Sequence, residues 1–402
     1  MRVSTAQFYY QSTLQMANKA SDVNEQMSFI SSGKRVLTAK DDAVQYGTLA
    51  GYNESLINIE KYKRNITMAE SHNSLQEVVF ADAELILDKM KQDLLLANNG
   101  RMSNEDLQAI ANELHNGFDQ LLDIANTQNA KGEYIFSGYQ TQQQPFSHQV
   151  DRAVIYNGDN GVNELQIAKN INVKTNQAGD AVFTKVTNAI GDFSANYITN
   201  TSGVAVESAN VINRNQYNTS AMPHDYTFTF GPGTAELNVV DSGGANVFNT
   251  TSYVAGQTIT FDGIDVTLNG NPLPGDSFTL AEEENISVFS TLNDAIEWIE
   301  RGSVSTNQEQ HQVDFNTILN QFNAAMTHVS SRRSDSGVTL QVLEKQRNSI
   351  LDSELNIASG KASIEDLDFA KAIANFEQSQ MALQASQQTF TQVQNLSLFN
   401  YI

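Results

Sequence analysis

Apolar residues near both ends of the chain recur at alternating steps of three and four, the spacing of a heptad seam on one face of a helix. Near the C-terminal end, large apolar residues recur every seven positions, and Ile373, Gln380 and Gln387 fill the alternate positions. Two apolar seams that lack another partner can pack against each other. The sequence therefore predicts that both chain ends pair to form one α-helical arm. The main seam residues are Ala6, Tyr9, Thr13, Met16, Ala20, Val23, Met27 and Ile30 in the first segment, and Phe369, Phe376, Leu383 and Phe390 in the last.

Proline and glycine divide the chain into three blocks. The flanks, residues 1–144 and 275–402, contain no proline, the residue that breaks helices most strongly. All five prolines lie between them, and fifteen of the twenty-three glycines fall between Gly132 and Gly275. The order predicted is therefore helix, strand-rich insert, helix.

In the first block, the opening helix is predicted to end near Ser32-Gly33, with glycine at its C-cap. After a connector over residues 34–42, apolar spacing predicts a helix over about 43–98, roughly 80 Å long at 1.5 Å per residue. Ser103 with Asp106 resembles a capping box, and predicts the start of a helix that returns antiparallel to the long one.

Helical spacing returns in the third block. It predicts a short helix over 289–299, a second over 315–329, and a third that starts near 343 and ends near Ser359-Gly360. Ser363 with Asp366 is then expected to open the last helix.

The middle block has the alternation of antiparallel strands. Tyr226, Phe228 and Phe230 alternate with threonine, and a similar pattern follows over residues 259–268. Earlier, Gly132–Gly138 is predicted to be a short strand with a turn at each end. Residues 215–300 contain twelve acids and no Lys or Arg, which is typical of a solvent-facing module.

These patterns predict an α+β, multidomain fold, in which a long antiparallel helical bundle or coiled coil from both termini carries a central antiparallel β-rich insert. Residues 1–42 and 361–402 are expected to be the terminal arms. Residues 43–146 and 286–360 would form a long-helix domain with a short β-hairpin, and 147–285 an outward-facing β-rich insert of one or two modules.

Charge and composition narrow the functional classes. The 402 residues contain 46 acids and 24 bases, a formal charge of −22, so we expect no nucleic-acid partner and no anionic membrane partner. No apolar stretch is long enough to span a membrane, and the opening residues lack a secretory signal pattern. Export, if it occurs, is expected to use no cleaved signal.

We find no pattern that predicts catalysis. Cysteine is absent, the six histidines are scattered, and no nucleophile elbow, phosphate loop or dinucleotide fingerprint occurs. Asp159-Asn160-Gly161 and the pair Asp262/Asp265 lack the ligand spacing of a calcium loop, and turn residues that bond their own backbone explain them better. We therefore expect no enzyme activity, metal site or cofactor.

The terminal seams are weak. Positions that leucine or isoleucine would fill in a stable coiled coil hold Ala6, Thr13, Ala20, Gln380 and Gln387. A buried leucine contributes roughly 1.5–3 kcal/mol and these residues far less, while ordering each residue costs about 1–2 kcal/mol. We therefore expect residues 1–40 and 363–402 to be loose in the monomer and to order in a polymer.

Several short motifs follow one another in a distinctive order along the chain. They are the opening residues 1–9, the connector Ser31–Val36 with Asp41-Asp42, Gly132–Gly138, Pro145-Phe146, Tyr156–Asp159, Gly270–Phe278, Ser363–Asp368 and Leu396–Leu398. In this order they resemble the hook-associated protein 3 type of hook–filament junction proteins in the flagellin superfamily. Ala43-Val44-Gln45, after the connector, departs mildly from the family pattern.

The resemblance implies a secreted structural subunit of the bacterial flagellum, exported unfolded by the type III apparatus and located at the hook–filament junction. It implies a homo-oligomeric ring whose other partners are hook-associated protein 1, flagellin and a cytoplasmic export chaperone. The C-terminal seam, which the chaperone would also bind, comprises Phe369, Ile373, Phe376, Leu383, Phe390, Leu396 and Phe399. A flagellin-like filament subunit and a rod-borne glycan-binding adhesin are the alternatives.

Overall fold

The computed structural model describes residues 2–149, 152–220, 222–233, 235–302 and 307–399, with side chains from residue 6 to residue 392. Long helices occupy both flanks and antiparallel strands the centre, which confirms the predicted α+β class. The helices are α1 (Arg2–Ser32), α2 (Ala43–Ala97), α3 (Asn104–Ala125), α4 (Arg214–Tyr217), α5 (Val288–Arg301), α6 (Gln308–Glu365) and α7 (Phe369–Phe399).

Capping groups lie at ends of the first three helices, and the sequence predicts two of them, at Gly33 and at Ser103 with Asp106. Gly33 follows α1 with φ of +68°, a left-handed conformation that glycine adopts without strain. Asp42 accepts hydrogen bonds at the start of α2 from two backbone N–H groups. At the start of α3, the Ser103 hydroxyl accepts from the Asp106 N–H while the Asp106 carboxylate accepts from the Ser103 N–H, which confirms the capping box.

The prediction of separate helices over 315–329 and 343–360 is wrong, because α6 runs unbroken through both. Gly337 and Gly360 lie inside it, since one glycine lowers helix stability by only about 1 kcal/mol and packing can offset that. A Cβ at Gly360 would lie 2.9 Å from the Tyr52 hydroxyl, so this glycine serves close packing. Ser363 and Asp366 do not open α7, because Asp368 caps it by accepting from the Lys371 N–H.

The predicted strand over Gly132–Gly138 is also wrong. This segment forms turns, with a single bridge between Gln128 and Tyr134. The strands are β1 (Phe146–His148), β2 (Val154–Tyr156), β3 (Glu164–Ala168), β4 (Ile171–Lys174), β5 (Val186–Thr187), β6 (Phe193–Thr199), β7 (Ala205–Val211), β8 (Tyr226–Phe230), β9 (Leu237–Asp241), β10 (Asn246–Thr250), β11 (Ile259–Phe261), β12 (Ile264–Asn269), β13 (Ser277–Glu282) and β14 (Asn285–Ile286).

Strands β6 to β13 form a module with its own hydrophobic core, defined here as the β module (residues 190–282). A five-stranded sheet of order β10-β9-β8-β13-β6 faces a three-stranded sheet of order β11-β12-β7, and all their pairings are antiparallel. The predicted alternation is confirmed, because Tyr226, Phe228 and Phe230 are all buried. The strand-rich segment before Ile190 packs instead with the helices.

A two-stranded neck, β5 with β14, joins the β module to the helical part, and Val186 lies opposite Ile286. Asn188 follows the neck and is almost fully buried. Its side-chain amide donates to the carbonyls of Phe193 and Glu283, at 3.0 Å each, and its side-chain oxygen accepts from the Ile190 N–H. One asparagine thus ties together the entry and exit strands of the β module.

The helical core of residues 65–344 is built from α2, α3, α5 and α6 together with turns from the middle block. Phe183 lies at its aromatic centre, with ring centroids 5.3 Å from Phe136, 5.5 Å from Phe146 and 5.8 Å from Phe289. The contacts with Phe136 and Phe146 are edge to face, a geometry that is favourable beyond the area it buries.

Contacts between Cα atoms divide the chain into two compact units, Met1–Arg64 with Lys345–Ile402, and Asn65–Glu344. The unit limits fall inside α2 and α6. The sequence placed its domain limits at the connector instead, because there the helical pattern is interrupted.

Candidate assembly surface

In the first unit, α1 and α7 pair as antiparallel helices with a half-buried seam. The rings of Tyr9 and Phe390 meet edge to face, with centroids 5.7 Å apart. On α1 the less exposed positions follow three-four steps through Tyr9, Ser12, Met16, Lys19, Val23, Gln26 and Ile30. On α7 they are Ala372, Phe376, Ser379, Leu383, Ser386 and Phe390.

Only part of the predicted seam lies at this contact. Most residues of the prediction that are spaced by seven are half-buried there, and Phe369, which is 51% exposed, is the exception. The half-buried ones are Tyr9, Met16, Val23, Ile30, Phe376, Leu383 and Phe390. The alternate positions are one residue away from the expected ones. Of the predicted alternate positions, Ala20 is half-buried, whereas Ala6, Thr13, Met27, Ile373, Gln380 and Gln387 are exposed. The side chains of Leu396 and Phe399 lie outside the described residues.

Because of this shift, large apolar side chains remain exposed on the helix pair. The seam uses Ser12, Lys19 and Gln26, while Met27 is 58% exposed and Ile373 is 50% exposed. A helix normally buries its more apolar face, and this pair does not. The large exposed apolar side chains of α1 and α7, which at about 100° per residue point to more than one side of the helices, are together defined here as the apolar flank. They are Phe8, Tyr10, Leu14, Met27, Phe369, Ile373 and Met381.

The base of the pair is held by a compact set of hydrogen bonds, defined here as the clasp (residues 33–35 and 364–367). Lys34 and Asp366 form an antiparallel bridge, with the Arg35 N–H donating to the Glu365 carbonyl at 2.8 Å and the Leu367 N–H to the Gly33 carbonyl at 3.1 Å. The Lys34 ammonium lies 2.5 Å from the Glu365 carboxylate.

The Arg35 side chain adds a further link. Its guanidinium donates to the Ile364 carbonyl at 3.0 and 3.2 Å and to the Gln45 side chain. The hydrogen bond from Lys34 lowers the pKa of Glu365 despite the opposing effect of burial, and Lys361, 3.6 Å away, lowers it further. Glu365 therefore stays ionised through the neutral range.

Sequence reasoning did not identify the clasp. It treated residues 34–42 as a connector and placed a helix start at Ser363, so Lys34, Arg35 and Glu365 received no role. The signal that could have found it is Asp366-Leu367-Asp368, where two short acidic side chains favour a break between helices.

The described residues contain no group of three His, Asp or Glu side chains that could hold a metal ion. Within the same ranges, no helix has an apolar stretch long enough to cross a bilayer.

Comparison with known proteins identifies the family. The model of the bacterial flagellin N-terminal helical region matches residues 3–141, and that of the C-terminal helical region matches residues 319–402. Flagellar hook-associated protein 3 of Escherichia coli is 28% identical over 193 residues, which is 48% of this chain and 60% of that protein. The aligned part therefore spans less than two thirds of this relative.

Two further relatives extend over more of the chain. The crystal structure of flagellar hook-associated protein 3 from Legionella pneumophila superposes with a TM-score of 0.67 at 28% identity, covering 78% of this chain and 98% of that one. Flagellin A of Vibrio cholerae is 22% identical over 388 residues, 93% of this chain and 92% of that protein. Since the two terminal regions together cover more than half of its length, the chain belongs to the bacterial flagellin family, as a homologue of flagellar hook-associated protein 3.

Proposed function

We propose that this chain is a structural junction subunit that links the flagellar hook to the filament and polymerises through its terminal helices. The observation that carries the proposal is the apolar flank, on the two helices that the flagellin family models match. Its relatives are structural flagellar proteins, and the proposed role is structural as well.

The energetics support a surface that is completed by neighbours. A large apolar side chain contributes roughly 1.5–3 kcal/mol when fully buried, so each half-exposed member of the flank can still gain about 1 kcal/mol in a subunit contact. The seam inside the chain gains less, because serine, lysine and glutamine occupy its alternate positions. Burial by neighbours would therefore add to the limited stability that the arms gain from their own pairing.

The partners follow from the family resemblance and from this surface. Copies of the chain would form a ring, with hook-associated protein 1 on one side and flagellin on the other. A cytoplasmic chaperone would cover the apolar side chains of α7 before type III export. The homology confirms the flagellar, extracellular location.

The proposal requires arms that become rigid on assembly. Hydrogen exchange on the free chain at low concentration tests this requirement directly. We expect weak protection over residues 1–40 and 363–402, and strong protection in the core built around Phe183. Strong protection of both arms in the free chain would contradict it.

A genetic experiment tests the function. Deleting the gene should leave hooks without filaments, with flagellin released to the medium. Complementation with Met27→Asp/Ile373→Asp, which charges the flank, should fail in the same way. The matched control Asn24→Asp/Asn375→Asp changes exposed polar positions of the same helices and should restore filaments.

The outcomes also separate the alternative. The alignment over most of flagellin A keeps a filament subunit as the second candidate. In that case, the deletion would give hooks without filaments and no flagellin in the medium. Normal filaments in the deletion strain, or full rescue by the charged flank variant, would overturn the proposal.

A further inference from the structure

The seam between α1 and α7 does not specify its own register. Its bulky residues on α1, Tyr9, Met16, Val23 and Ile30, are spaced by seven, and so are Phe376, Leu383 and Phe390 on α7. Sliding one helix by seven residues brings bulky residues opposite each other again in all layers but one. Coiled coils usually fix register with a distinctive residue at one seam position, but the intervening seam positions here hold only small or flexible side chains.

The clasp, in contrast, permits one register. Its two backbone hydrogen bonds run in opposite directions between the segments, from Arg35 to Glu365 and from Leu367 to Gly33. The ion pair between Lys34 and Glu365 requires the same alignment. A slip of seven residues would break all three interactions at once, because α6 ends and α7 begins on either side of the clasp.

The same register reaches the far end of the pair. The clasp places Lys34 opposite Asp366, and the Tyr9–Phe390 contact lies about 25 residues further along each helix. At 1.5 Å per residue this distance is roughly 37 Å. The alignment set at the base is therefore kept, within one residue, along the described length of the pair.

We propose that Lys34, Arg35 and Glu365 are positioning residues that set the register of the terminal helices. This deepens the proposed function and rests on it, because register determines which residues of the apolar flank lie side by side for neighbouring subunits. A slipped pair would displace one half of the flank by about 10 Å relative to the other.

Disulfide trapping tests the register in the free chain. The sequence contains no cysteine, so two introduced cysteines report on one contact only. Tyr9→Cys/Phe390→Cys traps the observed register, and Tyr9→Cys/Leu383→Cys traps a slip of seven residues. Because trapping captures transient encounters, it reports on register even when the arms fluctuate.

With the clasp intact, the first pair should oxidise at least about tenfold faster than the second, since one hydrogen bond to a charged group corresponds to roughly that factor in an equilibrium constant. Lys34→Ala/Arg35→Ala/Glu365→Ala removes the ion pair and the guanidinium hydrogen bonds and keeps the two backbone hydrogen bonds. In this variant the ratio of the two rates should fall about tenfold. The swap Lys34→Glu/Glu365→Lys should restore the ratio. Lys40→Ala, which removes an exposed ion pair to Glu25 outside the clasp, should leave it unchanged.

The ratio separates register from mere destabilisation. If the clasp variant slows both rates equally and keeps their ratio, the seam sets the register and the proposal is overturned. An unchanged ratio with unchanged rates overturns it as well. No assembly is involved in this measurement, so its failure would leave the junction function standing, and failure of the genetic experiment would leave the register result standing.

Discussion

The carboxylate of Asp276 offers the sharpest test of how the β module is held together. Asp276 is fully buried, yet it is ionised, because four donors surround it. One oxygen accepts from the Thr201 N–H at 2.7 Å and from the Thr201 hydroxyl at 2.9 Å. The other accepts from the Ser202 hydroxyl at 2.5 Å and from the Leu273 N–H at 2.9 Å. It thereby joins the β6–β7 turn to the turn before β13.

The substitution Asp276→Asn keeps the shape and removes the charge. An amide nitrogen must then replace one oxygen, and in either orientation it faces a backbone N–H that cannot accept. One buried N–H without a partner costs about 1–3 kcal/mol, and the surviving hydrogen bonds lose their charge assistance. We expect the opening free energy of the β module to fall by about 2–4 kcal/mol.

Hydrogen exchange followed by mass spectrometry measures this change locally, on peptides from β8 and β13. The expected loss corresponds to exchange that is roughly 30- to 1,000-fold faster at neutral pH. The matched control is Asp225→Asn, an exposed carboxylate of the same module. If Asp276→Asn exchanges within about twofold of this control, the reasoning from the buried donors is refuted.

The pH dependence gives a second readout of the same group. Burial alone would raise the pKa of Asp276, but the hydrogen bonds from Ser202, Thr201 and Leu273 outweigh it and lower the pKa below its usual value. A carboxyl whose pKa is lower in the folded state stabilises the fold above its unfolded pKa, near 3.9, and loses that contribution as the pH falls through its folded pKa. The parent should therefore lose stability below about pH 4, and Asp276→Asn should lack this part of the loss.

Three further substitutions test other parts of the fold. Asn188→Ala leaves buried backbone groups without partners at the neck and should lower the opening free energy of the β module by about 2–4 kcal/mol, seen as faster exchange in β6; Asn246→Ala, at an exposed position of the module, is the control. Gly191→Ala should yield little folded β module in circular dichroism and proteolysis, because glycine has φ of +119° there and a Cβ would lie 2.3 Å from the Ala209 carbonyl oxygen; a protease-resistant module would show this reading to be wrong. Phe183→Ala should cost about 3–5 kcal/mol in the helical core, measured by thermal unfolding; a melting temperature within about 2 °C of the parent would contradict it.

The sequence predicted the helices well wherever a cap or a breaker marks their ends. Gly33 and Ser103 gave the correct limits of α1 and α3, because local backbone chemistry decides both. The continuity of α6 could not be predicted from the same signals, because Gly360, taken with its neighbours in sequence alone, predicts the end of a helix. It lies inside the helix because Tyr52 packs against its bare Cα, a contact between residues far apart in sequence.

The candidate assembly surface was predicted in part. The spacing of seven predicts a seam through Tyr9 and Phe390, and these two rings are in contact in the structure. The predicted and observed seams share these residues and differ only at the positions between them. Hydrophobicity predicts that Met27 lies in the seam, but Gln26 is the half-buried residue and Met27 is exposed. The apolar residue of the two, Met27, therefore faces away from α7, as expected if it contacts another molecule.

The neck carries a further consequence for how such chains can vary. Because β5 and β14 are hydrogen-bonded neighbours, the polypeptide departs from the helices and comes back at nearly one point. The intervening hundred or so residues can be exchanged, lengthened or cut to a tight loop while the helix ends keep their positions. Natural diversity in size among related chains of this family is therefore expected to concentrate between Thr187 and Asn285, where a whole folded module can be replaced without disturbing the helices that carry it.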